Sequence, residues 1–301
     1  MKKIVMLMVV SALGFSGALL ANGNGNGQDK DKDNYDEVCG AVIDDIGGHG
    51  GLTTALGKSV FSNAGTNSDG IVGTNGGFDL NMWATVVATD GTVCAVTKTG
   101  AGLNDQWLGS RVISAQKANT ANAFSLPGLA LSTANLWAPT QPGGSLFGLQ
   151  FSNPVDTEVA YEGDAEDFGT ERVIAEDVIT HKGDPMVGHR IGGVNVFGGG
   201  LALYSEEGGL IGAIGVSGDT SCADHNIAWR VRDALGLDHV PGGVRTVPES
   251  SDPAITDDNI IFDVGGEGSA GGFGHPVCTG QENINVNDNI VGEFPIGGNS
   301  E

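Results

Sequence analysis

The stretch VNVFGGGLALYSEEGGLIGAIGVSG, residues 194–218, decides the fold. Two apolar runs rich in Leu, Ile and Val are broken by Glu206-Glu207-Gly208-Gly209, which reads as two strands joined by a tight connection. A helix follows at once. Ser221-x-x-Asp224 fits a capping box, Ile227, Val231, Ala234 and Leu235 form a buried stripe, and Gly236 is placed as the stop. Gly198-Gly199-Gly200 precedes a strand and does not open a helix, so it is not a phosphate loop. Gly215-Val216-Ser217-Gly218-Asp219 lacks the final glycine of a nucleophile elbow, and Ser217 reads as a turn or cap residue.

Working upstream, Met82–Thr97 repeats the hairpin pattern. Two β-branched, apolar runs flank Asp90-Gly91, a strong short-range turn signal. The next element is helical, with Leu108, Val112, Ala115, Ala118 and Ala121 at spacings of three and four, until Pro127 and Gly128 end it. An alanine stripe lets that helix approach a sheet or a ligand closely. Hairpin, helix, hairpin, helix is an α+β order, distinct from the βαβ alternation of a parallel sheet. The reading is a single domain over 38–245, interrupted by an acidic insertion at about 156–190. Residues 156–177 carry nine acids against Arg172 alone. Residues 22–37, NGNGNGQDKDKDNYDE, read as a flexible polar linker. After Arg245 no Lys or Arg remains, and 246–301 is expected to be a loop-rich acidic tail draped over the domain.

The chain has 301 residues with 14 basic and 37 acidic side chains, a net charge of −23. Such a surface repels phosphate backbones, which excludes a nucleic-acid partner. The 51 glycines have no three-residue period, so they imply turns and long loops in place of collagen. Lys2 and Lys3 followed by the uncharged apolar run Ile4–Leu20 read as a signal peptide over 1–21, cleaved after Ala21. Leu19, where a small residue is preferred, keeps an uncleaved anchor as the alternative. The remainder has no apolar run long enough to span a bilayer. The expected location is periplasmic or secreted.

Four cysteines in an oxidising compartment imply two disulfides with three possible pairings. Cys222–Cys278 is favoured because it would pin the tail to the domain, which leaves Cys39–Cys94. His225 lies in the first turn of the predicted helix, where the helix N-terminus keeps an imidazole neutral, the form that coordinates iron or zinc. If Cys222 and Cys278 pair, His275 in the sequence His-Pro-Val-Cys is carried towards it. The plainer alternative is two surface histidines near a structural disulfide. His181 and His189, eight apart on a Gly-rich loop, are poor metal-ligand spacing.

Two blocks resemble the GlcG/HbpS-type heme-binding family, which includes the C-terminal domain of PduO-type proteins. The first is Ser114-Ala115-Gln116-Lys117-Ala118-Asn119-Thr120-Ala121, similar to the family's Lys-Ala-x-Thr-Ala helix. The second runs from Val196 through the triple glycine to Tyr204, resumes at Ile211–Gly218 and reaches Asp224. The resemblance implies a profilin-like fold, a central antiparallel sheet flanked by helices. It further implies heme binding, heme or iron handling linked to oxidative stress, and frequent homo-oligomers. It places Lys117 and Thr120 near the ligand, and makes Gly199, Gly200 and the Gly215–Gly218 turn backbone features. The sequence departs from the pattern in its N-terminal helix, its acidic insertion, its tail and its cysteines. Gly51–Ala64, with Thr53, Thr54 and Gly57, gives little sign of the family's N-terminal helix. The acidic insertion and the tail also exceed its compact domain.

Three functions compete. The first is an exported heme-binding protein whose axial ligand comes from His225, His275 or Thr120. The second is a disulfide-stabilised extracellular interaction module without heme, with the insertion or tail facing a protein partner. The third is an enzyme acting on heme or a small molecule, for which the sequence offers no clear nucleophile or acid–base pair.

Overall fold

Asp90-Gly91 turns the chain between β1 (Trp83–Ala88) and β2 (Val93–Lys98), with Gly91 at φ +85° and Asp90 accepting the Thr92 N–H at 2.9 Å. The second hairpin is β5 (Gly200–Tyr204) and β6 (Leu210–Ser217), and β6 lies antiparallel along β1 from Trp83↔Ser217 to Ala88↔Gly212. The result is a four-stranded antiparallel sheet in the order β2-β1-β6-β5. This computed structural model describes residues 27–60, 75–175, 178–246, 256–278 and 282–297. The expected signal peptide lies outside them.

Almost every residue of these strands is buried, so both sheet faces are covered. Helix α3 (Ser110–Phe124) covers one face through its alanines, packing on β1, β5 and β6. Gly215 makes that approach possible, because a Cβ there would stand 1.9 Å from the Ser114 carbonyl oxygen. The other face is served by α2 (Gly48–Val60) and α7 (Ser221–Ala234), which also pack on each other. This is the expected α+β architecture of a central antiparallel sheet flanked by helices.

Several boundaries differ from the sequence reading. Residues expected to form a flexible linker are helical from Gly27, as the first half of α1 (Gly27–Asp45). Its buried Tyr35, Cys39 and Val42, with Ile46 just past its end, recur at helical spacing and anchor the helix, and the polar run extends it. The weak signal over Gly51–Ala64 conceals α2, whose Leu52, Ala55, Leu56 and Val60 face the core despite the glycines. Leu108 precedes α3 and is exposed. The cap of α7 is Thr220, whose hydroxyl accepts from the Ala223 N–H at 3.2 Å, and Gly236 at φ +66° follows its end.

Between α3 and β5, three short helices, α4 (Trp137–Thr140), α5 (Leu149–Ser152) and α6 (Thr157–Tyr161), lead to the hairpin β3 (Val173–Ala175) and β4 (Val178–His181). Buried Arg111 of α3 ties this acidic segment down. It forms a two-pronged ion pair with buried Asp184, donates to the Ala160 carbonyl at 3.0 Å, and lies 3.9 Å from the Phe168 ring. The tail is more than draped loops. It contributes α8 (Glu282–Glu293), which packs on α7, and buries Asp257, Asp258 and Asn259 completely. Arg245 and Arg232 pair with Asp257 and Asp258, which is how two adjacent carboxylates tolerate burial.

Candidate functional site

The triple glycine is the floor of the site. Gly199, at φ +114°, would place a Cβ 2.4 Å from the Val216 carbonyl oxygen and 3.1 Å from Lys117 Nζ. A Cβ on Gly198 would stand 3.1 Å from that of His225. These glycines let α3 and α7 approach across one end of the sheet. Lys117, 1% exposed, crosses this gap from α3, with its Nζ 2.6 Å from Asp224 Oδ2 of α7 and donating to the Val216 carbonyl at 3.0 Å. The other carboxylate oxygen of Asp224 accepts the N–H groups of Gly218 and Asp219. Burial pushes the Lys117 ammonium down and the Asp224 carboxyl up to about 6, and each partner's charge opposes its neighbour's shift. The pair bolts α3, β6 and α7 together.

Thr120 is equally committed. Its fully buried hydroxyl donates to the Gln116 carbonyl at 2.7 Å and accepts the Asn195 N–H at 3.0 Å. The histidines differ. Both expected disulfides, Cys39–Cys94 and Cys222–Cys278, are formed, and the second holds the 275–278 segment against the start of α7. His225 and His275 are 0% and 2% exposed, so the reading of surface histidines does not hold. His225 Nε2 lies 2.9 Å from Asn259 Oδ1 and 3.2 Å from the Ile260 nitrogen, whose N–H is directed at it, while its Nδ1 has no hydrogen-bond partner among the described residues. His275 Nδ1 donates to the Pro276 carbonyl at 2.7 Å, while its Nε2 has none. On His275 the N–H is spent on an oxygen acceptor and a lone pair is left on Nε2, whereas on His225 both partners fall on Nε2 and Nδ1 is left bare.

Burial lowers the pKa of His225 to about 3, with Arg232 and His275 adding to the shift and Asp258 opposing it. Burial likewise lowers that of His275 to about 4. Both are neutral imidazoles at physiological pH. The ligand atoms of His275, Cys222 and Cys278 lie within 4.8 Å of one another, but the disulfide withholds both sulfurs as thiolate ligands. Lys117, Thr120, His225 and His275 line neither of two open cavities. One, of about 230 Å³, lies between α1, the start of α2, β2 and Arg172; the other, of about 450 Å³, lies between α2 and the end of α7. Sequence reading missed Asn259, whose only signal was a polar residue in an acidic tail.

The sequence profile described as "Haem degrading protein HbpS-like" matches residues 75–232, just over half the chain. The chain belongs to the HbpS-like family. The matched segment of this HbpS-like chain contains the four-stranded sheet, α3, α7 up to Arg232, Lys117, Thr120 and His225, and leaves out His275 and Cys278. Two solved structures are similar. The Klebsiella pneumoniae protein ORFY, of the DUF336 family, is 20% identical, with 61% of this chain and 84% of that one covered and a TM-score of 0.37. A PduOC:heme complex is 21% identical, with 61% and 91% covered and a TM-score of 0.37. No curated protein gives a significant match.

Proposed function

We propose that this HbpS-like chain is an exported heme-binding protein engaged in heme or iron handling, with His225 or His275 as the axial ligand. The observation that carries this reading is the pair of buried, neutral imidazoles, each with one unpaired ring nitrogen. Buried polar atoms are almost always partnered, and each of these rings is held through its other nitrogen: His275 by the Pro276 carbonyl, as metal-bound imidazoles often are, and His225 by Asn259 and the Ile260 N–H. The donor chemistry therefore fits heme iron. Lys117 and Thr120 do not fit as ligands, since their polar atoms are already spent. Bound heme would supply iron-centred redox chemistry, and this chain's part is to hold and enclose the group. Family membership supports the same reading. Export is supported by the signal-like first 21 residues and by two disulfides in a chain with no free cysteine. Among the described residues, no helix is long and apolar enough to cross a membrane.

Access is coupled to the tail, because Asn259, Ile260 and the disulfide-held His275 segment close over α7. The test is a hemin titration of residues 22–301 followed by Soret absorbance, with His225→Ala and His275→Ala in parallel. Saturable one-to-one binding, lost in either variant, is the expected result. Absence of any Soret shift overturns the proposal. It would select the second reading, an extracellular interaction module without heme, which the closure of all four candidate residues favours.

A further inference from the structure

The Cys222–Cys278 disulfide and His275 form a cluster of which the heme reading uses one member. Cys222 lies in the first turn of α7 and is fully buried, while Cys278 is partly buried and follows exposed Val277. A ring nitrogen of His275 and the two sulfurs lie within 4.8 Å of one another. Donor atoms on one tetrahedral zinc ion, at about 2.3 Å for sulfur and 2.0–2.1 Å for nitrogen, stand about 3.5–3.8 Å apart. The cluster reaches that spacing once the sulfurs part, and Cα atoms 6.0 Å apart leave room for it by side-chain rotation. Two further features suit ligation. The Nδ1–H of His275 is spent on the Pro276 carbonyl, which leaves the lone pair on its buried, unpartnered Nε2. The Cys278 sulfur accepts the Cys222 N–H at 3.2 Å and lies 3.4 Å from the Ser221 hydroxyl, donors that stabilise a thiolate.

We infer that Cys222, Cys278 and His275 are a thiol-gated zinc site, closed to metal as the disulfide and holding one zinc ion as the dithiol, with a fourth position open to water. The switch needs a dithiol reductant. Its thiolate attacks Cys278, the more accessible sulfur, and the S–S bond breaks. Two electrons and two protons pass from the reductant, which closes to its own disulfide, to Cys222 and Cys278. Zinc then displaces the two thiol protons and forms two Zn–S bonds and one Zn–N bond. The ion takes the place of the S–S bond between groups that already converge inside the fold, so it needs no separate cavity. Ala134, Ile260 and Phe262 supply apolar surroundings, and the Trp137 ring lies 6.0 Å from that of His275. Two sulfurs and an imidazole select zinc over calcium or magnesium. Both states join α7 to the 275–278 segment, so the clamp on the tail survives a change of redox surroundings.

The inference does not rest on the heme reading, because the hemin titration uses the disulfide form and this test the dithiol form. Residues 22–301 are reduced with a dithiol, desalted without oxygen and titrated with cobalt(II) as a spectroscopic probe, then with zinc in competition. The expected result is one cobalt per chain, with a sulfur-to-cobalt charge-transfer band and tetrahedral visible bands that zinc abolishes. The oxidised chain should show neither. Cys278→Ser should lose the bands, and His275→Gln should weaken binding about tenfold or more. His275→Cys should bind and strengthen the charge-transfer band as a third thiolate joins, an outcome that a structural role for the ring would not give. Cys39→Ala/Cys94→Ala, which removes the other two thiols, should keep the site. Circular dichroism follows folding throughout. Absence of charge transfer in the reduced wild type overturns the inference. So does equal affinity in His275→Gln, loss of the bands in Cys39→Ala/Cys94→Ala, or a chain that unfolds on reduction and is not refolded by cobalt.

Discussion

His225→Gln should flatten the dependence of stability on acid. The unfolded chain carries this imidazole at its ordinary pKa of 6.5, and burial lowers it to about 3 in the fold. Between those values the unfolded state holds a proton that the native state refuses, so stability rises with pH. The contribution is fully present above the unfolded pKa and erodes as pH falls from 6.5 towards 3. From pH 7 to pH 5 the loss is about 2 kcal/mol for His225, and of similar size for His275, whose folded pKa is about 4. Asp224, raised to about 6, acts with the opposite sign. Its native state holds more protons between the carboxylate's ordinary value and 6, so its contribution is lost as pH rises. Asp224 is common to wild type and variants and cancels in the difference. Glutamine does not titrate, and its amide can hydrogen-bond with Asn259 and the Ile260 N–H in place of Nε2. The assay is urea unfolding at pH 7 and pH 5 of wild type, His225→Gln, His275→Gln and the double variant. The pH-induced loss should shrink by about 2 kcal/mol in each single variant and about 4 in the double. Equal losses in all four proteins would show that these rings already titrate normally, and would remove the argument that they are held as neutral ligands.

Three further outcomes follow from the packing. Gly215→Val drives side-chain atoms into the Ser114 carbonyl and the Ala118 N–H, and should destabilise by about 3 kcal/mol in chemical denaturation. Tolerance of valine would mean that α3 does not lie on β6 as described. Lys117→Met strands the Asp224 carboxylate and should cost about 3–5 kcal/mol, much of it recovered by adding Asp224→Asn. If the second change brings no recovery, the two residues are not coupled. Opening Cys39–Cys94 with a Cys39→Ala/Cys94→Ala double variant frees a loop 55 residues long, and should cost about 4 kcal/mol on loop-closure entropy, read from the urea midpoint.

The hairpins were legible because the signals are local. Asp90-Gly91 and Glu206–Gly209 sit between runs whose composition suits strands buried on both faces. Helix α7 was legible for the same reason, with its cap one residue away from the expected position. Helix α1 was missed because its core stripe, Tyr35, Cys39 and Val42 with Ile46 just past its end, begins where the Asp/Lys run ends, so the polar half looked like a spacer with nothing to anchor it. The tail was misjudged because its buried carboxylates owe their burial to partners that local reading does not connect. Asp258 pairs with Arg232, 26 residues earlier, and Asp257 with Arg245. A run of acids with no base nearby reads as solvated unless the fold that supplies the bases is known.

The same contrast between local and distant signals sorts the candidate ligands. The family resemblance brought forward Lys117 and Thr120, and proximity to cysteines brought forward His225 and His275. In the folded chain all four are enclosed at one end of the sheet, so burial does not separate them. Hydrogen bonding does. Lys117 spends its ammonium on Asp224, 107 residues away, and on Val216, and Thr120 uses its hydroxyl as both donor and acceptor. These two residues hold α3, α7 and the 195–200 strand approach in place. Each imidazole keeps one ring nitrogen without a hydrogen-bond partner among the described residues, and Nδ2 of Asn259 and Oδ1 of Asn226 in the same region are likewise without one. An unpaired buried nitrogen costs stability, so its presence on two adjacent rings points to a role that packing alone does not supply. On that ground the scaffold is read from Lys117 and Thr120, and ligand chemistry from His225 and His275.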